Sequence, residues 1–191
     1  MTGNPPLWRV VLIVEDDSDG RAISLLVKTL NARAVVDWLP ANGIGNIQRN
    51  GRRLIALAKD RAGQHGCVAV IIDGDRKNVG RDEPHRSIAR ECRVRRVPLL
   101  VARESIEAWM LSDVGICQWL EIAARPSTHT LTSPKGIVSR AFLRKTGRQY
   151  RRRRARVEVA QRATGLNRAA NPSMDQAIGH LDGCRVIGAV P

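Results

Sequence analysis

The segment CVAVIIDGD, residues 67–75, decides the fold. Residues 67–72 are all apolar and four of the six are β-branched. A run of that length and composition reads as a strand buried on both faces, as in a parallel sheet. It passes straight into Asp73-Gly74-Asp75. Upstream, residues 10–14 (VVLIV) form a second such run, ended by Glu15, Asp16, Asp17 and Asp19. Between the two lie a helical pattern with Ile23, Leu26, Val27 and Leu30 on one face and a second strand at 34–39. A Gly/Asn-rich loop at 40–50 and a helix through Leu54, Ile55, Leu57 and Ala58 to about Ala62 complete the interval. Downstream, a polar loop, a short helix at about 83–92 and a fourth strand at 97–102 follow. The alternation β-α-β-α-β-α-β predicts an α/β fold, a parallel sheet with helices on both faces.

After Arg103 the character changes. Residues 104–120 read as helical, with two Trp and no strand signal. Residues 125–134 form a Pro/Ser/Thr loop, and from Lys135 onward the chain reads as helical and arginine-rich. The expected organisation is an α/β core at 1–113 and a basic helical region at 114–191 packed on it. The 191 residues, 43% of them apolar, suit one domain with such an appendage and exclude wholesale disorder. No apolar run reaches the roughly 18 residues of a membrane span. The opening MTGNPPLWRVV lacks the pattern of a signal segment, so the expected location is the cytoplasm. Cys67, Cys92, Cys117 and Cys184 are widely spaced, which argues against a cysteine zinc site and a disulfide framework. His65, His85, His129 and His180 show no ligand spacing and read as incidental.

In a parallel sheet, ligands collect at the carboxyl ends of strands. Glu15 ends the first strand, and Asp73 and Asp75 end the third. If those strands are neighbours, their carboxylates converge and repel, which a hard divalent cation such as Mg²⁺ or Mn²⁺ relieves. The plainer alternative is that acidic residues at strand ends are solvated turn residues.

The net charge of +14 points to a polyanionic partner. Arginine outnumbers lysine 27 to 5, as codon bias alone would produce, but codon bias should act evenly along the chain. Residues 1–113 instead carry net +4 and residues 114–191 net +10. Residues 135–156 hold ten Lys/Arg and no acid. Arg140, Arg144, Arg148, Arg152 and Arg156 recur every four residues, which on one helix makes a continuous arginine face. With Lys135, that face is the expected site for nucleic-acid backbone phosphates, bound without sequence preference. A solvated charged face, or an acidic protein partner, is the alternative reading. Six aromatic residues are too few for a platform of stacked bases.

VVLIVEDDSDG resembles the opening of response-regulator receiver domains, in which Asp73 would accept a phosphoryl group. Asp16 and Asp73 are 57 positions apart, longer than the roughly 40 of a compact unit with short loops. The receiver's Met-Pro after the acceptor is also absent. Glu15-x-x-x-Asp19 followed by Asp73-x-Asp75 more closely resembles the Toprim fold of topoisomerases, primases and the OLD-type nucleases of phage defence. ARESIEAWMLSD (102–113), SPK (133–135), Tyr150 and NPSMDQAIGHL (171–181) resemble later motifs of small stand-alone bacterial Toprim-like proteins. The resemblance implies that Glu15 is a metal ligand or general acid/base and that Asp73 and Asp75 are a metal-binding pair. It implies that Asp19 and Glu107 could hold a second ion. The implied function is a Mg²⁺-dependent nuclease, with a non-catalytic module that binds nucleic acid or an ATPase partner as the alternative. Two departures stand out. Asp16 follows Glu15 where many Toprim openings have Gly, and Lys77 replaces the third Asp of topoisomerases.

Overall fold

The computed structural model describes residues 7–183 and 185–186. Four strands, β1 (Leu7–Val14), β2 (Val35–Pro40), β3 (Cys67–Asp73) and β4 (Leu99–Ala102), form a parallel sheet in the order β2-β1-β3-β4. A two-residue strand, β5 (Arg185–Val186), pairs antiparallel with the start of β1.

The alternating side chains of β1 serve two cores, as the period of an extended chain requires. Val10, Leu12 and Val14 face a cluster built with α1 (Asp17–Leu30), α4 (Ile106–Met110), α5 (Val114–Trp119), α6 (Pro134–Thr146), α7 (Arg152–Ala160) and α8 (Pro172–Asp182). Val11 and Ile13 face a smaller cluster built with α2 (Ile44–Ala62) and α3 (His85–Arg95). The larger cluster runs from Val10 to Leu181, so residues on either side of position 113 share one core. Among the described residues no helix is long and apolar enough to cross a membrane.

Two local expectations change. The loop expected at 40–50 ends early, because α2 begins at Ile44. Gly43, with φ +110°, makes the turn into the helix, and Asn46 Nδ2 donates to Ala41 O. The helix expected at 104–120 is two helices. Asp113 interrupts it as the cap of α5, accepting from Ile116 N at 3.0 Å. Cys67 is disulfide-bonded, which the wide spacing of the cysteines did not indicate, because sequence spacing says nothing about neighbours in space. Cys92 and Cys117 are buried free thiols, and Cys184 lies outside the described residues.

The strand order positions the site. From β1 the chain crosses to β2 on one side, then returns past β1 to β3 and β4 on the other. The helices change face at that reversal, at the carboxyl ends of β1 and β3, the position where open α/β sheets bind ligands. Gly74 packs the end of β3 tightly against the end of β4. Its N–H donates to Ala102 O at 2.6 Å, and a Cβ there would collide with Arg103 O. Gly74→Ala is therefore expected to cost about 1–3 kcal/mol through overpacking, read as a lower urea midpoint at unchanged slope.

Candidate functional site

β1 and β3 are hydrogen-bonded neighbours, so Glu15 and Asp73 leave the sheet side by side. Glu15 Oε1 accepts from Asp73 N at 3.1 Å. Asp73 Oδ1 accepts from Ile106 N at 2.9 Å, which docks the start of α4 on the end of β3. Glu107, one residue along, is fully buried. Burial pushes the Asp73 carboxyl well above the usual carboxylate range, and the charges of Glu107, Glu15 and Asp75 push it further, against the Ile106 N–H. Asp75 stands at the exposed rim, with φ +45°, and its N–H donates to Glu104 O.

Asp19 and Glu107 are joined by a buried cation from the chain itself. Arg156 donates to Glu107 Oε1 from Nε at 3.1 Å and from Nη2 at 2.8 Å. Its Nη1 is ion-paired with Asp19 Oδ1. Tyr150 OH also donates to Glu107 Oε1, at 3.1 Å. The Arg156 side chain is 1% exposed, so this face of α7 points into the protein and not toward solvent. Burial lowers the guanidinium's pKa from its usual value, while Asp16 and Glu15 act to raise it.

Asp16 has its own task. It caps α1 by accepting from Ser18 N and Asp19 N, and Asp19 Oδ2 accepts from Asp16 N in return. This reciprocal capping box explains why Asp stands there in place of Gly. Asp113, 0% exposed, accepts from Thr164 N and Gly165 N and is structural. The later motifs brace the helices: Trp109 Nε1 donates to Ser173 Oγ, and Asn171 caps α8.

Unsatisfied buried polar atoms lie beside Asp73. Glu107 Oε2, Ser105 Oγ and His85 Nδ1 have no hydrogen-bond partner. His85 Nε2 lies 3.0 Å from Asp73 O, and Ser105 immediately precedes Ile106. Buried polar atoms are rarely left unpaired, so their gathering at one strand end needs a reason. Hard carboxylate oxygens and an unpaired Glu107 Oε2 suit a divalent cation in chemistry. Among the described residues, however, no group of three or more His, Cys, Asp or Glu side chains is arranged to hold a metal ion.

The arginine series is distributed differently from a single helical face. α6 ends at Gly147 in the left-handed conformation, and α7 starts at Arg152, so the continuous stripe does not form. Lys135 is half-buried, Arg140 and Arg144 are exposed on α6, and exposed Arg148 is paired with Glu158. The side chain of Arg152 lies outside the described residues. Nothing in the four-residue spacing distinguishes buried Arg156 from its exposed neighbours. His85 and Tyr150 likewise join the site without a local signal. Comparisons with protein-family models, curated proteins and solved structures find no match.

Two outcomes test this electrostatic arrangement. Arg156→Met removes the guanidinium and leaves two buried carboxylates unpaired, so a loss of about 3–5 kcal/mol is expected in urea denaturation at neutral pH. Asp73→Asn should act oppositely. A carboxyl whose folded pKa is raised binds its proton more tightly in the native state. It therefore costs stability as pH rises from the unfolded value, about 3.9, through the folded one. The variant should be more stable than wild type at neutral pH, and the gain should vanish below about pH 3.9.

Proposed function

We propose that this chain is a Toprim-like, metal-dependent phosphodiesterase acting on nucleic acid, with a role in defence against mobile DNA. The observation that carries this reading is the crowding of Glu15, Glu107 and Asp75 around half-buried Asp73 at the sheet's reversal point, beside the unpaired Glu107 Oε2. On this reading Glu15, Asp73 and Asp75 would supply oxygens to one Mg²⁺ or Mn²⁺, and would have to draw together to do so, since they are not arranged around an ion in the described structure. When bound, such an ion polarises a phosphoryl oxygen and activates water. The chain's own residues do the rest. The Ile106 N–H holds the Asp73 carboxylate in place, His85 braces the carbonyl of the same residue, and on this reading Glu15 would take a proton. Arg156 supplies the positive charge between Asp19 and Glu107, so the reading needs one ion and not two.

One observation favours a second reading, a non-catalytic module that binds nucleic acid or a protein partner. Arg156 already neutralises two of the carboxylates. The test is cleavage of labelled DNA and RNA with Mg²⁺, Mn²⁺ or EDTA. For the enzyme, Asp73→Asn and Glu15→Gln should each lower metal-dependent cleavage by about 10²-fold or more, with folding retained. If wild type and both variants are equally inert while still binding nucleic acid, the module reading holds and the enzyme reading falls.

A further inference from the structure

The break between α6 and α7 creates a feature that the four-residue arginine spacing does not describe. A cleft of about 640 Å³ opens at the junction, lined by Phe142, Arg148, Arg151, Arg153, Arg154 and Glu158 among others. Its floor is apolar, since Phe142 is 1% exposed. Arg148 lies over the Phe142 ring at 5.3 Å and is held there by Glu158 at 2.6 Å. Among the described lining residues Glu158 is the one acid, and this pair occupies it. Arg151, Arg153 and Arg154 are exposed, and their side chains have no ion pair or hydrogen bond among the described residues. Three guanidiniums at the N-cap and first turn of α7 repel each other, and among the described residues no carboxylate is paired with them.

We propose that this cleft holds the phosphodiester backbone of a nucleic acid, with Arg151, Arg153 and Arg154 as its phosphate contacts. Planar guanidinium forks match phosphate oxygens bidentately. The Phe142 ring is covered by Arg148, so the cleft offers no face for base stacking, and its recognition is of charge and not of sequence. The same segment carries Tyr150 and Arg156, which both reach Glu107. A strand lying in the cleft is therefore held by the segment that closes the acidic cluster. This deepens the nucleic-acid part of the proposed function and does not depend on whether the acidic cluster cleaves.

The test is fluorescence anisotropy of a labelled 20-nucleotide single strand and a 20-base-pair duplex, titrated with the full chain in EDTA at several salt concentrations. Arg151→Ala/Arg153→Ala/Arg154→Ala should weaken binding at least tenfold. It should also reduce the slope of log K against log salt by about 2 for the single strand, at roughly 0.7 per phosphate contact. The control removes equal charge from exposed positions on the opposite face, Arg49→Ala/Arg52→Ala/Arg53→Ala, and should bind within about twofold of wild type. Replacing the three cleft arginines by Lys should recover much of the affinity, which separates lost contacts from lost folding. The titrations are made in EDTA, where no metal-dependent cleavage takes place, so failure of the nuclease reading leaves this result readable. Equal losses in the two Ala triples, or no loss in the first, overturn the proposal. Binding of inorganic polyphosphate with no binding of either oligonucleotide also overturns it.

Discussion

A guanidinium removed from water and placed between two carboxylates holds three helices in register. Arg156 comes from α7, Asp19 from α1 and Glu107 from α4. None of the three charges can be buried alone, because an isolated ion in the interior costs several kcal/mol. Together they are tolerable, and only when the helices meet in one arrangement. The apolar residues Ala155 and Val159 of α7 supply adhesion to the larger core, and adhesion of that kind is not directional. The ion pairs supply the direction. They turn one face of α7 inward and leave its first turn, with Arg153 and Arg154, at the surface.

A second constraint comes from the sheet. Parallel strands end together, and here two adjacent ones end in acids. The chain divides the resulting negative charge into two parts. Asp19 and Glu107 face Arg156, while Glu15 accepts from Asp73 N and Asp73 accepts from Ile106 N. The first part is balanced within the chain. The second crowds carboxylates around a carboxyl whose charged form burial already disfavours, and the two effects together raise the Asp73 pKa. Crowded carboxylates beside unpaired polar atoms, at the reversal point of an α/β sheet, are the combination expected of a binding site.

Much of the fold was legible because burial and periodicity are local signals. The runs at 10–14 and 67–72 could bury both faces only as inner strands, and they are β1 and β3. The acidic residues at their ends follow from that assignment. The start of α2 was less legible, since Asn and Gly at 42–46 suit a loop as well as a helix entrance, and the hydrogen bond from Asn46 to Ala41 O decides between them. The division at 113 was read from charge, a surface property, whereas the apolar residues on both sides contribute to one core.

The sequence alone determined the alternation of strands and helices, the acidic strand ends and the surplus of arginine, because each is written in neighbouring residues. The tertiary structure alone decided which arginine is buried. Arg148, Arg152 and Arg156 are equivalent by spacing. A turn at Gly147 breaks the series, and two carboxylates distant in sequence, Asp19 and Glu107, capture only Arg156. Charge in a chain is a property of residues, but its burial is a property of partners, and partners 49 positions apart meet only when the chain has folded.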